Sequence, residues 1–316
     1  MSLRRFVLKR LLITVPLLLG VSLATFAMVH FIPGDPIDFI TLFTELDPEK
    51  EQRIRAQYGL DKPVYVQYID WVVSAAQGDF GQSISTKRSV TDEIMTRLPF
   101  TLLMGSMAFV IAIVTAIPTG VAAAYYRNTT VDQASRVFAL VGIALPNFWL
   151  GLILILVFGS WLGLLPILPP TDSGLLSVDM IAYTLLPAIA IGTGSTALLM
   201  RLMRSSMVEE LDKDYVKMAR AKGLPERQVV GKHVLRNSLI SVVTVAAIQV
   251  AFIISGSVVV EIVFSYPGID RLLVNSVGKR DFPVIQALVL LIGVSVILAN
   301  LFADVLYAYL DPRIRY

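Results

Sequence analysis

The sequence predicts an all-α polytopic membrane protein: six transmembrane helices, a small extracytoplasmic segment between helices 1 and 2, and a cytoplasmic helix between helices 4 and 5. Three observations carry this. The 316 residues are 55% hydrophobic and only 16% charged, with a mean hydropathy of +0.71, against about 45 to 50% apolar residues in an ordinary soluble domain. Apolar stretches of about 20 residues, the length of helix that crosses a bilayer, recur along the chain. The short connections between them alternate between Lys/Arg-rich and Lys/Arg-poor.

The stretches lie near Leu11 to Phe31, Thr101 to Ala124, Val137 to Gly159, Ile181 to Met200, Leu239 to Val260 and Val284 to Leu310. Pro16, Pro118, Pro146 and Pro187 fall inside them. A membrane span tolerates proline where neighbouring helices, hydroxyls or water satisfy the freed carbonyl. Arg4, Arg5, Lys9 and Arg10 give the first stretch the flank of a signal peptide. Its apolar run is long for a signal and more spans follow, so it is expected to remain as a helix.

Orientation follows from the basic connections, which stay cytoplasmic. With the N-terminus inside, the inner segments hold Arg4, Arg5, Lys9 and Arg10, then Arg127 and Arg136, then a dense group from Arg201 to Arg236, and finally Arg313 and Arg315. Between spans 3 and 4 there is no Lys or Arg, and between spans 5 and 6 only Arg271, Lys279 and Arg280. Both termini are therefore expected in the cytoplasm. Glu261 and Asp304 stand near helix ends, and Asp304 is expected to pair with an inner-side arginine or to cap local structure.

The outer segment from Pro33 to Leu98 is expected to fold, because it has apolar residues at helical spacing. Glu49 to Tyr58 reads as one short helix and Val64 to Ala76 as another, the second with Val66, Ile69, Trp71, Val72 and Val73 as its apolar side. Gly78-Asp79-Phe80-Gly81 is a turn signal. Two uses fit this segment: a cap packed on the outer ends of the spans, or a surface for a delivering partner.

Missing motifs narrow the function classes. The chain has no cysteine and only His30 and His233, which excludes a disulfide framework and a histidine-rich metal cluster. Its net charge of +3 comes from residues scattered between apolar runs, so no nucleic-acid surface is expected. Gly231-Lys232 and Gly278-Lys279 lack the upstream glycine of a P-loop. No H-E-x-x-H or G-x-S-x-G occurs, and acids are scarce within the spans, which counts against a protease, a lipase and a proton-coupled carrier.

The connection from Arg201 to Arg236 is patterned. Glu209, Glu210, Asp212 and Asp214 precede Lys217, Arg220 and Lys222, an order that matches a helix dipole. Gly223 is a natural left-handed stop and Pro225 suits the first turn of a following helix. The pattern predicts helix, tight turn, helix. Such a unit can seat in a groove of another protein and transmit force; a solvated basic loop near anionic lipid has the same composition.

Around Gly223 the sequence resembles the permease subunits of ATP-binding-cassette importers, in particular the first permease subunit of the dipeptide and oligopeptide systems. The family's inner signature runs E-A-A-x-x-x-G, nine residues, then I-x-L-P. Ala219, Gly223 and Leu235 match it, whereas Lys217, Met218, His233 and Arg236 depart from it. The words Asp214-Tyr215, Ala219-Arg220-Ala221-Lys222-Gly223-Leu224 and His233-Val234-Leu235-Arg236-Asn237 are similar to the peptide branch. So are His30-Phe31-Ile32-Pro33-Gly34-Asp35-Pro36, Gly59-Leu60-Asp61-Lys62-Pro63, Glu261-Ile262-Val263-Phe264-Ser265-Tyr266-Pro267-Gly268, Asp281-Phe282-Pro283-Val284-Ile285-Gln286 and Asp311-Pro312-Arg313-Ile314-Arg315.

The resemblance implies residues 1–32 as cytoplasmic N-terminus and first span, 33–98 as the extracytoplasmic segment, and 99–316 as a five-helix permease core with a coupling loop at 201–237. It implies a second homologous permease, two ATPase subunits or domains that bind the ATP and Mg, and an extracytoplasmic peptide-binding protein. This chain would bind no cofactor and catalyse no reaction, and would sit in a prokaryotic plasma membrane, the inner membrane of a Gram-negative cell. Dipeptides, longer peptides, glutathione and nickel chelates are all cargoes of this pattern, and peptide is the expectation.

Asp214, Tyr215, Ala219, Arg220, Ala221, Lys222, Gly223 and Leu224 are thus the expected contact with an ATPase, with Ala219, Ala221 and Gly223 keeping its surface low and Arg220 and Lys222 available to partner acids. Asn147, Gln249, Ser255, Glu261, Phe264, Pro267 and Gly268 are candidates for the pathway or its outer gate. Asn147, Gln249, Ser255, Ser257 and Asn300 read equally as interhelical hydrogen-bonding groups. Glu261 either holds the outer loop closed or meets a peptide amine, and His30 reads as a packed interfacial histidine. Gly192, Gly194, Ser195 and Gly256 are expected at close helix contacts.

Overall fold

Long apolar runs become helices in lipid because each backbone N–H and C=O has to be satisfied within its own segment. The computed structural model describes residues 3–31, 52, 61–171, 174–250 and 258–310. Its helices are α1 (Leu3–Phe31), α2 (Val64–Ala76), α3 (Val90–Tyr125), α4 (Thr130–Ala144), α5 (Asn147–Leu154) with a π-helical continuation Ile155–Trp161, α6 (Val178–Leu211), α7 (Asp214–Ala221), α8 (Leu235–Val250), α9 (Val258–Val263), α10 (Ile269–Gly278) and α11 (Phe282–Leu310). The expected helix at Glu49 to Tyr58 lies outside the described residues, apart from Gln52.

The chain is an all-α polytopic membrane protein. α1, α3, α6, the stretch Glu226–Val250 and α11 are each long and apolar enough to cross a bilayer. The expected third span is not one helix: α4 and the unit Asn147–Trp161 meet at an angle of 105°. Leu145 is extended, at φ −77° and ψ 128°, as a residue before proline tends to be, and Pro146 has no N–H to continue the ladder. Pro16, Pro118 and Pro187 stay inside continuous helices.

The centre of the bundle is the seam between α3 and α6. On α3 the buried residues Ala108, Ala112, Ala116, Gly120 and Ala124 recur every fourth position, and on α6 Ala188, Gly192, Thr196 and Met200 do the same. Side chains this small let the backbones approach. A Cβ on Gly192 would stand 2.8 Å from the Ala108 carbonyl oxygen, and one on Gly120 would stand 2.7 Å from Met203 Cβ. The hydroxyls of Thr115 and Thr196 meet across the seam at 3.2 Å. Residue numbers rise together along both helices at these contacts, so the two run parallel, and α4 with α5 makes the return crossing. Gly194, by contrast, has nothing nearer than 3.9 Å, and Gly256 lies outside the described residues.

α1 lies along α11, with Val21 where a Cβ of Gly293 would be (2.5 Å) and an Arg10–Asp304 ion pair of 2.7 Å, the arginine partner expected for Asp304. α2 leans on the far end of α1 through Tyr68, whose hydroxyl is 2.9 Å from Ser22 Oγ, and through ring contacts of Phe26 with Tyr68 and Trp71. Val66, Trp71 and Val72 of its apolar side are partly covered, whereas Ile69 and Val73 are exposed. The Gly78–Gly81 turn follows, both glycines at positive φ.

Gly192→Val should overpack the α3–α6 seam and destabilise the protein by about 1 to 3 kcal/mol, read as a lower thermal unfolding midpoint in detergent. Gly194→Ala, whose added methyl would stand at ordinary contact distance, 3.9 Å, from Asn147 Oδ1 and the Gly142 carbonyl, should leave the midpoint unchanged.

Candidate functional site

α6 does not stop where its apolar run ends. It continues through Leu211, so the first part of the 201–237 segment is helix, and it delivers the chain directly into α7. α7 is held by its foot. Val216 is fully buried and Ala219 is 9% exposed, both packed in one cluster with Met207, Val229 and Val234. Tyr215 donates its hydroxyl to Glu210 Oε2 at 2.6 Å and accepts Asn237 Nδ2–H at 3.1 Å, tying α6, α7 and the start of α8 together. Burial first, and the bond to Glu210 next, push the Tyr215 hydroxyl up, so it stays a donor at neutral pH.

The turn after α7 has the predicted form. Gly223 sits at φ +75°, its N–H donating to the Arg220 carbonyl at 2.9 Å, while Leu224 N–H reaches back to Ala219 at 3.3 Å. Pro225 opens the turn Glu226–Gln228, and a π-helical stretch Val229–Val234 leads into α8. The face turned away from the bundle carries Asp214, Lys217, Met218, Ala221 and Lys222, all exposed. Lys217 and Asp214 pair at 2.9 Å, and this ammonium holds the Asp214 carboxyl below its ordinary range.

Four residues stand differently from expectation, two of them being Tyr215, tied back to Glu210 and Asn237, and Leu224, packed against the buried cluster. Ala219 belongs to the buried foot rather than to the low outer surface. Arg220 is engaged within the chain, its Nε and Nη2 on the two oxygens of Glu226 at 3.1 and 2.7 Å. Lys222 has no acid in ion-pair range among the described residues. Met218, 58% exposed on the same face, was passed over in sequence as a departure from the family signature.

The opposite end of the bundle is built around Glu261 on α9, whose side chain is fully buried. Thr101 Oγ1 donates to Glu261 Oε1 at 3.0 Å and itself accepts Ile269 N–H at 2.9 Å; Arg271 N–H donates to Oε2 at 2.8 Å. Gly268 lies against this carboxylate, and any Cβ there would overlap it. Glu261 therefore has no surface from which to meet a peptide amine; it closes the loop Phe264–Ile269 on itself. Phe264 is buried against Gly151, its ring 2.8 Å from where a Cβ would be, and its carbonyl accepts Tyr183 Oη–H at 2.5 Å. Tyr266 stacks on Tyr183 at 5.6 Å and meets the Thr184 hydroxyl at 3.1 Å. Pro267 is partly buried in the same knot.

Asp281 is a second tie that went unassigned in sequence. Its carboxylate accepts Ser83 Oγ–H at 2.5 Å and the N–H groups of Ile84 and Ser85 at 3.1 Å each, which fixes the hairpin after α2 to the start of α11. Asn147 and Gln249 do not supply the expected interhelical hydrogen bonds: Asn147 has none among the described residues, and Gln249 Oε1 is buried without a partner there. Ser255, Ser257 and the side chain of His30 lie outside the described residues. Hydroxyls of Thr115, Thr184, Thr196, Tyr183 and Tyr266 make these links instead, since they sit at the close seam and the loop knot. Among the described residues, no three acids or histidines are grouped to hold a metal.

Residues 116–316 match the family described as binding-protein-dependent transport system inner membrane component, and residues 3–105 match its N-terminal region. The chain is 43% identical over 311 residues to the glutathione transport system permease protein GsiC of Escherichia coli K12, covering 98% of this chain and 99% of the relative. It is 40% identical over 318 residues to the oligopeptide transport system permease protein AppB of Bacillus subtilis 168, with the same coverage. To the dipeptide transport system permease protein DppB of Escherichia coli K12 it is 37% identical over 335 residues, covering 99% of each.

Asp270, on α10 beside the Glu261 loop, is 2% exposed, and its Oδ2 has no hydrogen-bond partner among the described residues. Burial pushes its carboxyl up to about 6. The native state therefore holds this proton more tightly than the unfolded chain, so Asp270 favours the fold below about pH 4 and that contribution is lost as pH rises through 6. Asp270→Asn should raise the thermal midpoint at pH 7.5 and leave it unchanged at pH 4, measured on the purified protein at both pH values.

Proposed function

Since this chain belongs to the family of binding-protein-dependent transport system inner membrane components, whose members are permease subunits of ATP-binding-cassette importers, we propose that it forms one half of a pathway for short peptides. A second homologous permease completes the pathway. An extracytoplasmic binding protein delivers the cargo, and two ATPase subunits or domains, which hold the ATP and Mg, move this chain through α7. Both termini and α7 lie in the cytoplasm in this reading, and the Glu261 and Asp281 knots lie outside.

The observation that carries the coupling role is the two-sidedness of α7. One side is anchored by Val216, Ala219 and Tyr215, so a displacement of the helix is passed to α6 and α8 rather than lost in a hinge. The other presents Asp214, Lys217, Met218, Ala221 and Lys222 to a partner. A ligand or partner shifts an equilibrium only by its differential affinity for two states. ATP-driven closure of the ATPases supplies that difference at α7, and the bundle responds by exchanging inward-open for outward-open packing.

Short peptide is the cargo chemistry common to the three relatives, whose names give dipeptide, oligopeptide and glutathione transport. Glutathione itself is the second reading, favoured by the 43% identity to GsiC. Selectivity in this reading rests mainly with the binding protein, because the outer knot of this chain turns Glu261 and Phe264 inward.

Gly223→Val puts a β-branched residue at φ +75° where no neighbouring atom lies within 4 Å, so it strains the turn without disturbing packing. Left-handed geometry costs such a residue about 1 to 2 kcal/mol, and transport with binding-protein-stimulated ATPase activity should fall about tenfold at an unchanged membrane level. Normal transport would exclude coupling through this turn. Mass spectrometry of ligand carried by the cognate binding protein should find short peptides or glutathione; a sugar or a metal chelate would overturn the cargo assignment.

A further inference from the structure

Asp132, on the first turn of α4, is fully buried and gathers two arginines. Arg136 donates to its two oxygens at 3.1 and 2.7 Å and Arg204 of α6 at 2.5 and 2.9 Å, with Asn128 N–H adding a bond of 3.0 Å. One carboxylate thus fixes two guanidinium groups, and the Arg136 side chain remains 53% exposed. One turn along α6, Arg201 is exposed and has no acid in ion-pair range among the described residues. These three cations border a groove of about 190 Å³ between α4 and α6. Its walls are apolar, with Leu140 66% and Ile143 49% exposed and Met200 at the floor. Asp132 faces two of these guanidinium groups and offsets one charge, so with Arg201 two net positive charges remain at the border of an apolar surface, where an unpaired charge is expensive.

We propose that this groove binds an anionic phospholipid, its phosphate on Arg201 and the outer edge of Arg136 and its upper acyl chain along Leu140 and Ile143. Charge complementarity selects this occupant. A guanidinium fork matches phosphate oxygens, a zwitterionic lipid would bring a cation next to three others, and a soluble anion would leave the apolar walls uncovered. The groove lies at the end of α6 that carries α7, so the lipid belongs to the leaflet facing the cytoplasm. Only this sidedness rests on the functional reading above. Lipid occupancy would brace the α4–α6 contact beside the helix that enters α7.

Native mass spectrometry of the purified transporter containing the full chain tests the site, with phosphatidylglycerol, chain-matched phosphatidylcholine and glycerol 3-phosphate as probes. Phosphatidylglycerol should be retained over phosphatidylcholine. Arg201→Gln should weaken its retention about fivefold, the effect of one basic residue at an anionic lipid surface, and glycerol 3-phosphate should not displace it. Arg201 is outside the Asp132 cluster, so this variant should keep the parent unfolding midpoint. The chain has no cysteine, so Leu140→Cys gives this chain a single thiol; bulky alkylation there should also lower retention, an effect absent from the parent transporter treated alike. Equal retention of the two lipids, an unchanged Arg201→Gln, or displacement by glycerol 3-phosphate would overturn the proposal. So would crosslinking of that thiol to a partner permease instead of lipid. Retention is read without peptide or nucleotide, so failure of the peptide assignment leaves this result unaffected.

Discussion

Close approach of α3 and α6 is the constraint on which the other parts of the molecule depend. Lipid offers no hydrophobic drive to press two helices together, so their association relies on packing contacts that large side chains would prevent. Alanine and glycine at every fourth position of α3, facing Ala188, Gly192 and Thr196 of α6, bring backbone against backbone. Because the pair is parallel, α4 and α5 have to return across the bundle between them. The break at Leu145-Pro146 gives that return its 105° change of direction.

α6 connects the two candidate sites physically. Tyr183 and Thr184 near its start hold the Phe264–Ile269 loop through the Phe264 carbonyl and the Tyr266 hydroxyl. Leu211 at its end leads into α7 after a two-residue turn. At 1.5 Å per residue, some 40 Å of helix separates these contacts. A continuous helix of that length, packed along much of it against α3, is a direct structural path between α7 and the Phe264–Ile269 loop. The acids are disposed accordingly: Glu261 and Asp281 satisfy N–H and hydroxyl donors that position loops at one end of the bundle, and Asp132 holds two arginines toward the other.

Much of this was legible in the sequence, for identifiable reasons. The spans, α2 and the α7–Gly223–Pro225 unit follow from local rules: apolar length, helical spacing, dipole-matched charges and a left-handed glycine. The four-residue repeat of small residues in α3 is also present in the sequence, but only as a repeat; taken one at a time, the crowded Gly192 and the uncrowded Gly194 look alike. The candidate pathway residues were harder. Glu261, Phe264 and Gly268 form a sequence word, yet whether such a word faces a cavity or folds on itself depends on Thr101, Gly151 and Tyr183, which come from other helices.

By itself, the sequence determined that this chain is a bundle of membrane helices, that a short helix stops at Gly223 before Pro225, and which family's words it carries, because each of these is written in composition or in neighbouring residues. Only the tertiary structure decided that Ala219 is foot and Met218 is face, that Arg220 is engaged by Glu226, that the third span is broken, and that Glu261 is sealed inside its loop. A helix position acquires a direction, and a charge acquires a partner, only when elements distant in sequence pack against it, and no local pattern encodes which side they will come from.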